Sequence, residues 1–297
     1  MSTAHVAAQA KVNLTLRILA REASGYHQIE TVFQRLALAD RVTVRESTAR
    51  ALDVRWADPS RPVDLGPVDQ NLAWRAAEAY AAVAGWPRGF AIEIEKAIPV
   101  GGGLGGGSSN AAAVLRALDA LAARPLGAAA LIDIAARLGA DVAFLTSASE
   151  LALAWGRGER LLDLPPLPTA PVLLVVPNFG VNTGMAYRTL AAHREAHPGP
   201  AQATWRSPRA LGSWSAVAAD AVNDFEPVVF ELHPALATVR AQLAALPHTI
   251  FALMSGSGST LFAVQEKGPA NPGRLALPAG WTFVATDTSP AHPIVIS

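Results

Sequence analysis

The chain reads Pro99-Val100-Gly101-Gly102-Gly103-Leu104-Gly105-Gly106-Gly107-Ser108-Ser109-Asn110-Ala111 between a predicted strand and a predicted helix. Six of the seven residues from Gly101 to Gly107 are glycine. Glycines placed here leave backbone N–H groups free to point at one anion, and the start of the helix adds positive potential. We therefore predict a phosphate-binding loop rather than a flexible turn, which needs only one or two glycines. Ser108 and Ser109 are predicted to cap a helix from Asn110 to Ala123.

The class of phosphate loop is narrowed by two motifs that do not fit. Gly101, Gly103 and Gly106 match the dinucleotide pattern G-x-G-x-x-G, but that motif expects an acidic residue on the next strand about 20 positions later. Here Asp119 lies inside a predicted Ala- and Leu-rich helix. A Walker A loop requires a lysine directly before its Ser or Thr, and Gly107 stands there. The loop is thus of a third type, and an NAD-dependent oxidoreductase is disfavoured.

Lys11 is a second candidate, at the start of an alternating strand. Apolar residues at positions 12, 14, 16 and 18 alternate with polar ones, which predicts a strand with one buried face. Lys11 and Asn13 share the opposite face, where a cation would lie beside an amide. The alternative is a solvated strand face, the usual place for a lone lysine.

Asp141 and His27 are candidates because of their side-chain chemistry. Asp141 follows a predicted helix and Gly139, among apolar neighbours, so it is either a helix cap or an acid–base group with a shifted pKa, and the sequence alone favours the cap. His27 ends the turn Gly25-Tyr26-His27. Taken alone, such a histidine is more often a surface or structural residue than a catalytic one.

The pattern along the chain predicts an α+β protein. Further strands are expected at 41–46, 51–56, 90–95, 171–176, 249–254, 260–264 and 281–285, and further helices at 71–84, 128–138, 185–195, 216–225 and 234–246. Prolines cluster between Gly156 and Thr169, where we expect a domain boundary. We place it between residues 160 and 161, which gives domains 1–160 and 161–297.

Composition excludes several classes of protein. The chain of 297 residues has no cysteine, which rules out thiolate catalysis and cysteine-ligated metals. Its 24 basic residues balance its 24 acidic ones, so no net field would recruit nucleic acid or an anionic membrane. Its apolar runs are far shorter than the roughly 20 residues of a membrane helix. We see no signal peptide and expect a soluble, cytoplasmic protein.

Three separated stretches resemble the GHMP kinase superfamily: residues 10–14 with Lys11, the glycine loop, and Met254-Ser255-Gly256-Ser257-Gly258-Ser259-Thr260. Two more, Ser24-Gly25-Tyr26-His27 and Gly139-Ala140-Asp141-Val142, are similar to those of the members that phosphorylate a cytidine-diphosphate-linked methylerythritol in non-mevalonate isoprenoid synthesis. The five motifs occur in the family's order, from about residue 8 to residue 265. Together they are far more specific than a glycine loop alone.

This resemblance implies a fold, an activity and cofactors. The expected fold is a two-domain GHMP-kinase-like α+β fold, with an N-terminal ribosomal-protein-S5-like domain and a C-terminal ferredoxin-like domain. The expected activity is transfer of the ATP γ-phosphoryl group to the 2-hydroxyl of the cytidine-linked substrate, with Mg²⁺. The expected partner is this small molecule, without nucleic acid or membrane, and the expected state is a monomer or weak homodimer.

The resemblance also implies roles for individual residues. Lys11 and Asp141 are the implied catalytic pair. ATP binding is implied for Pro99, Val100, Gly101, Gly102, Gly103, Leu104, Gly105, Gly106, Gly107, Ser108 and Ser109, with Asn71 and Lys96 on the side of the adenine. Substrate binding is implied for Asn13, Tyr26, His27, Thr183, Tyr187, Gly256 and Ser257. On spacing alone, Tyr187 could equally be core packing and Lys96 an exposed strand end.

The sequence departs from the family pattern directly after Asp141. The family usually has Pro-Phe-Phe and then a glycine, whereas this chain has Ala143-Phe144-Leu145 and then Thr146-Ser147-Ala148-Ser149. The segment after Gln265 is also hard to match. Two alternatives to the expected function are another GHMP kinase acting on mevalonate, homoserine or a sugar, and a non-catalytic nucleotide-binding member of the fold. The Gly-Tyr-His turn argues against the first, and the presence of both Lys11 and Asp141 argues against the second.

Overall fold

The computed structural model describes residues 2–22, 27–58, 66–197, 211–266, 268 and 275–297. Within these ranges, no helix is long and apolar enough to cross a membrane. Two sheets organise the described residues, and helices pack against each of them.

The first sheet is built around two long antiparallel strands. Its strands are β1 (Thr3–Arg21), β2 (His27–Glu46), β3 (Ala51–Trp56), β4 (Phe90–Lys96), β5 (Leu151–Gly156), β6 (Arg160–Asp163) and β11 (Val295–Ile296). β2 pairs with β1 along its length, with β4 through residues 41–46 and with β5 through residues 29–34. The sheet therefore forks along β2, and β3 joins it in parallel with β4.

In the described part of the first domain there are four α-helices: α1 (Leu72–Ala84), α2 (Gly106–Leu121), α3 (Ala128–Leu138) and α4 (Ala140–Thr146). They form one apolar core with residues of β1, β2 and β4. Alanines make up much of the buried face of α1 and α2. Because small side chains let backbones approach closely, α2 lies directly against β1, α1 and α4.

The second domain is a four-stranded antiparallel sheet in the order β10-β7-β9-β8. Its strands are β7 (Pro171–Val176), β8 (Thr249–Met254), β9 (Leu261–Gln265) and β10 (Thr282–Asp287), and its helices are α5 (Thr183–Ala196), α6 (Trp214–Asp220), α7 (Glu226–Leu232) and α8 (Pro234–Ala244). One buried apolar cluster contains Val12 and Leu14 of β1 together with Leu174 and Phe262 of the second sheet. The two domains therefore share a continuous core.

The structure corrects three sequence-based expectations about the elements. β1 is buried on both faces around Lys11, because α2 covers one side of the sheet and the second domain packs on the other. The helix after the glycine loop begins at Gly106, four residues before the predicted start. The predicted helix 216–225 is shorter, ending at Asp220, and a separate helix, α7, follows at Glu226.

The predicted boundary between residues 160 and 161 falls within β6. This strand pairs with β5 and so extends the first sheet to Asp163. At the other end of the chain, β11 pairs with β1, so the last described residues also lie on the first sheet. We propose that the division lies after Asp163, in the segment before β7.

Candidate active site

The glycine loop forms a cradle whose shape requires glycine. Gly101, Gly103 and Gly105 have φ angles of 76°, 81° and 72°, in the left-handed region that other residues rarely adopt. The loop borders a cavity of about 220 Å³ lined by residues 99–107, Asn71, Lys96 and Asn110, among others. Since Gly105 is the N-cap of α2 and has no side chain, backbone N–H groups of the first helical turn are available beside this cavity.

The two serines after the loop do not cap the helix, so that prediction is wrong. They lie inside the first turns of α2, because the left-handed Gly105 lets the chain enter the helix early. The Ser109 hydroxyl donates to the backbone oxygen of Gln9 at 2.7 Å, and its backbone N–H donates to Gly105 at 2.8 Å. Ser109 therefore holds α2 against β1.

Lys96 lies beneath the loop in a buried polar cluster. Its ammonium contacts the Asp40 carboxylate and donates to Asn110 Oδ1 at 3.0 Å. The other oxygen of Asp40 accepts the backbone N–H groups of Ala97 and Ile98 at 2.7 and 2.8 Å. Lys96 is only 3% exposed, which excludes the alternative of an exposed strand end. The cluster fixes the chain where it enters the glycine loop.

Lys11 and Asp141 form an ion pair beside the cradle. The Lys11 Nζ atom is 3.3 Å from Asp141 Oδ2 and donates to Asn13 Oδ1 at 2.7 Å. Lys11 is 2% exposed, so the alternative of a solvated strand face is excluded. Asp141, with 31% of its side chain exposed, lies in the first turn of α4, whose N-cap is Gly139. Asp141 is therefore not the helix cap.

The same lysine touches the glycine loop. Its backbone N–H donates to the carbonyl oxygen of Leu104 at 3.0 Å. A Cβ atom added to Gly105 would lie only 3.1 Å from Lys11 Cγ. Lys11 thus lies between the phosphate cradle and the Asp141 carboxylate.

A Gly/Ser turn of the second domain packs on the cradle. The Ser255 hydroxyl donates to the oxygen of Gly103 at 2.9 Å, and the Thr260 N–H donates to the oxygen of Gly102 at 3.1 Å. In the same turn, the Ser257 hydroxyl is 2.9 Å from that of Thr183, at the start of α5. Three of the predicted substrate residues, Thr183, Gly256 and Ser257, therefore lie together at the edge of the loop.

His27 and Tyr187 meet across the two domains. Their rings are stacked with centroids 4.4 Å apart and planes 19° apart, and Tyr187 also packs edge-on against Phe225 at 4.9 Å. Burial, followed by the negative charge of Asp141, raises the pKa of Tyr187 to about 12. Burial, followed by the positive charges of Arg21 and Arg194, lowers the pKa of His27. Tyr26, the other predicted stacking residue, lies outside the described residues.

Comparison with known proteins agrees with this geometry. The families described as GHMP kinases N terminal domain and GHMP kinases C terminal match residues 71–149 and 206–281. A 4-diphosphocytidyl-2-C-methyl-D-erythritol kinase of Pelotomaculum thermopropionicum is 39% identical over 86% of this chain and 87% of its own. The chain belongs to the 4-diphosphocytidyl-2-C-methyl-D-erythritol kinase family.

A crystal structure of a kinase of this family superposes with a TM-score of 0.76 and 37% identity, over 96% of this chain and 99% of its own. The resemblance inferred from the five motifs is thus confirmed, as are the two-domain α+β GHMP-kinase fold and the kinase class. A homoserine kinase from Cytophaga hutchinsonii has a TM-score of 0.68 over 100% of this chain and 97% of its own, but 17% identity, which shows the shared fold alone.

In this kinase chain, three residues near the site were not anticipated from the sequence. Asp40 contacts Lys96, and Asn223 donates to the backbone oxygens of Met254 and Gly256 at 2.7 and 2.8 Å. Arg35 donates to backbone oxygens at the end of α4. No signal in the sequence marked Asp40, because the need for a carboxylate partner follows only once Lys96 is seen to be buried. The others bind backbone oxygens that only the folded chain brings near.

Proposed function

We propose that this chain transfers the γ-phosphoryl group of ATP to the 2-hydroxyl of 4-diphosphocytidyl-2-C-methyl-D-erythritol. The observation that carries the proposal is the position of Lys11, which contacts the glycine loop on one side and Asp141 on the other. A cation between a phosphate cradle and a carboxylate suits phosphoryl transfer to an alcohol. A protein that only binds nucleotide has no use for such a pair.

In the proposed reaction, Asp141 accepts the proton of the 2-hydroxyl as that oxygen bonds to the γ-phosphorus. The bond between the γ-phosphorus and the bridging oxygen breaks, and ADP leaves. The Lys11 ammonium orients the hydroxyl and offsets charge on the moving phosphoryl group. A tertiary alcohol is crowded, so aligning it with the phosphorus contributes as much as basicity does.

The ATP side is proposed to consist of residues 99–109 with Asn71 and Lys96. The first turn of α2 and the loop would hold the phosphates through backbone N–H groups. Asn71 lines the same cavity, and its Oδ1 accepts the N–H of Ala73 at 2.9 Å. Its amide is therefore held in one orientation, as recognition of a base edge requires.

The metal-binding side chains near the site fit an ion that arrives together with the nucleotide. Among the described residues there is no group of three or more metal-binding side chains. Mg²⁺ is commonly held by one or two carboxylates and by substrate phosphates, and the partly exposed Asp141 carboxylate lies beside the cradle. We therefore propose MgATP as the substrate form, in which the ion neutralises phosphate charge.

The cytidine side is proposed to consist of Asn13, Tyr26, His27, Tyr187, Thr183, Gly256 and Ser257. His27 would read the edge of the cytosine, while Tyr26 and Tyr187 would supply stacking faces. We propose that the partner is this cytidine-linked small molecule, without nucleic acid or membrane, and that the chain acts as a monomer or weak homodimer.

A coupled ADP-release assay tests this proposal with three acceptors: the cytidine-linked methylerythritol, mevalonate and homoserine. We expect ADP release with the first acceptor only, and only background release from Asp141→Asn. Turnover of mevalonate or homoserine at a comparable rate would overturn the substrate assignment. Absence of turnover with all three, despite measurable ATP binding, would favour a non-catalytic nucleotide-binding protein.

A further inference from the structure

Asp141 is carried by α4, a helix of seven residues. Helices this short are unstable alone, because few hydrogen bonds offset the cost of ordering the first turn. The position of the Asp141 carboxylate therefore depends on what holds the helix from outside.

Arg35 of β2 holds the carboxyl end of this helix. Its Nη2 atom donates to the backbone oxygens of Phe144, Leu145 and Ser147 at 2.9, 3.1 and 2.8 Å. Its Nε atom donates to the oxygen of Ser149 at 2.7 Å. The last carbonyl groups of a helix have no partner within the helix and carry negative partial charge. A guanidinium is thus well matched to this end.

The register of the first sheet links Arg35 to the catalytic pair. Arg35 is the direct cross-strand partner of Lys11 in the β1–β2 ladder. Lys11 contacts Asp141 at the start of α4, while Arg35 binds the carbonyl groups at its end. Between them, Phe33 of β2 stacks on Phe144 of α4 with centroids 5.0 Å apart. One short stretch of the sheet therefore holds the helix at both ends and in the middle.

Arg35 is 1% exposed, and its hydrogen bonds in the described part of the chain all go to backbone oxygens. Burial, followed by the positive charge of Arg116, lowers the pKa of Arg35. A buried cation is costly, and an apolar side chain of similar volume often packs at least as stably. The segment it binds, residues 144–149, includes Thr146, where the family pattern has a glycine, and it directly follows Ala143, where the pattern has a proline.

We propose that Arg35 is a positioning residue for phosphoryl transfer. It holds the carbonyl end of α4 so that Asp141, at the other end, stays aligned with Lys11 and the acceptor hydroxyl. The inference rests on the proposed function, since it assumes that Asp141 is the base.

The first test compares the buried Arg35 with the half-buried Arg116. We expect Arg35→Met to lower kcat by about 100-fold, the cost typical of a displacement near 1 Å at a reacting group, while KM for ATP stays unchanged. The control is Arg116→Met, because Arg116 also donates to a backbone oxygen, that of His292 at 2.7 Å, and within the described residues it has no hydrogen bond to α4. Equal loss of kcat in both variants, or no loss in Arg35→Met, would overturn the inference.

The second test is a double-mutant cycle with Asp141→Asn. If Arg35 acts through Asp141, adding Arg35→Met to Asp141→Asn should change kcat by less than about twofold. That is the size of the deviation from additivity usually seen between unrelated sites. A further 100-fold loss would show that Arg35 acts elsewhere and would overturn the inference. Wild-type activity of Asp141→Asn itself would instead refute the base in the proposed function.

Arg35→Lys is a milder substitution that can test the proposal if Arg35→Met does not fold. A lysine retains the charge but reaches fewer of the four oxygens, so kcat should fall by about tenfold, between the values for arginine and methionine. Amide hydrogen exchange should be faster in residues 140–146 than in wild type. Wild-type kcat together with faster exchange would mean that helix order does not limit catalysis, and the inference would be wrong.

Discussion

The glycine loop and the cytidine side of the site are built in opposite ways. The loop is a contiguous stretch whose function lies in its backbone. Three of its glycines have positive φ angles, and a Cβ on Gly102 or Gly103 would collide with the Gly/Ser turn. The cytidine side instead brings together His27 of β2 and Tyr187 of α5, side chains far apart in sequence. A backbone site can therefore be located in a sequence directly, whereas a side-chain site becomes visible only when the fold joins its parts.

Asp141 lies between these two regions. Its substitution distinguishes the catalytic step from the binding of ATP at the loop and of CDP at the cytidine side. We expect Asp141→Asn to lower kcat by about 10²–10⁴-fold, the usual contribution of a general base. Affinity for ATP and for CDP should change little, because the base acts in the transition state. Steady-state kinetics and isothermal titration measure the two effects. Activity within a few-fold of wild type would return Asp141 to a structural role.

On the cytidine side, Tyr187→Ala should weaken CDP binding and leave ATP binding unchanged. Loss of one base–aromatic stack costs about 1–3 kcal/mol, or about 5- to 150-fold in affinity. Tyr187→Phe is the matched control, because it keeps the ring and its contact with Phe225. If Tyr187→Ala binds CDP with unchanged affinity, the Tyr187 ring does not stack on the base and serves only to pack between His27 and Phe225.

On the loop side, Gly103→Ala should weaken ATP binding and leave CDP binding unchanged. Gly103 has a φ angle of 81°, and an added Cβ would lie 2.1 Å from the backbone oxygen of Ser255. An alanine in the left-handed conformation costs about 1–2 kcal/mol. If ATP binding bears this whole cost, the affinity for ATP falls by about 5- to 30-fold.

Gly85→Ala is the control for this prediction. Gly85 has a φ angle of 68° but nothing within 4 Å of an added Cβ, so the control carries backbone strain without a collision. It should lower the melting temperature slightly and leave ATP affinity at the wild-type value. Normal ATP binding by a folded Gly103→Ala protein would place the cradle elsewhere.

The smallest effect concerns pH, since the cytidine side contains a titratable ring. The folded protein lowers the pKa of His27 from its ordinary value of 6.5, so the unfolded chain binds more protons in the region just below that pH. The free energy of unfolding should therefore fall as pH drops through 6.5. Urea denaturation at several pH values should show a shallower fall for His27→Asn. An identical slope in variant and wild type would contradict this prediction.

The sequence predicted the bounds of a helix or strand correctly where the residues of that element alone showed a clear pattern. The bounds of Ala51–Trp56, Ala128–Leu138 and Pro171–Val176 agree with the structure because alternation, helical spacing or an aliphatic run defines each one. β5 was missed and β1 proved much longer than its alternating part. Both strands are buried by packing from two sides, which removes the alternation that marks a half-exposed strand.

In the site, Lys11 and Asp141 were found because family motifs contain them, and the structure brings their charged atoms together. Asp40 and Arg35 were not found. Asp40 binds two backbone N–H groups, and Arg35 binds four backbone oxygens. Because any residue can supply a backbone group, such partners leave no trace in the sequence.

The contacts between the cradle and the Gly/Ser turn limit how the two domains can be recombined. Gly102 and Gly103 of the first domain accept hydrogen bonds from Thr260 and Ser255 of the second. Consider a chimaera that joins this first domain to the second domain of another kinase. Its phosphate loop keeps its shape only if the other kinase's Gly/Ser turn places a hydroxyl and a backbone N–H at the positions of Ser255 and Thr260. The loop and the turn must therefore be exchanged together, although about 150 residues separate them along the chain.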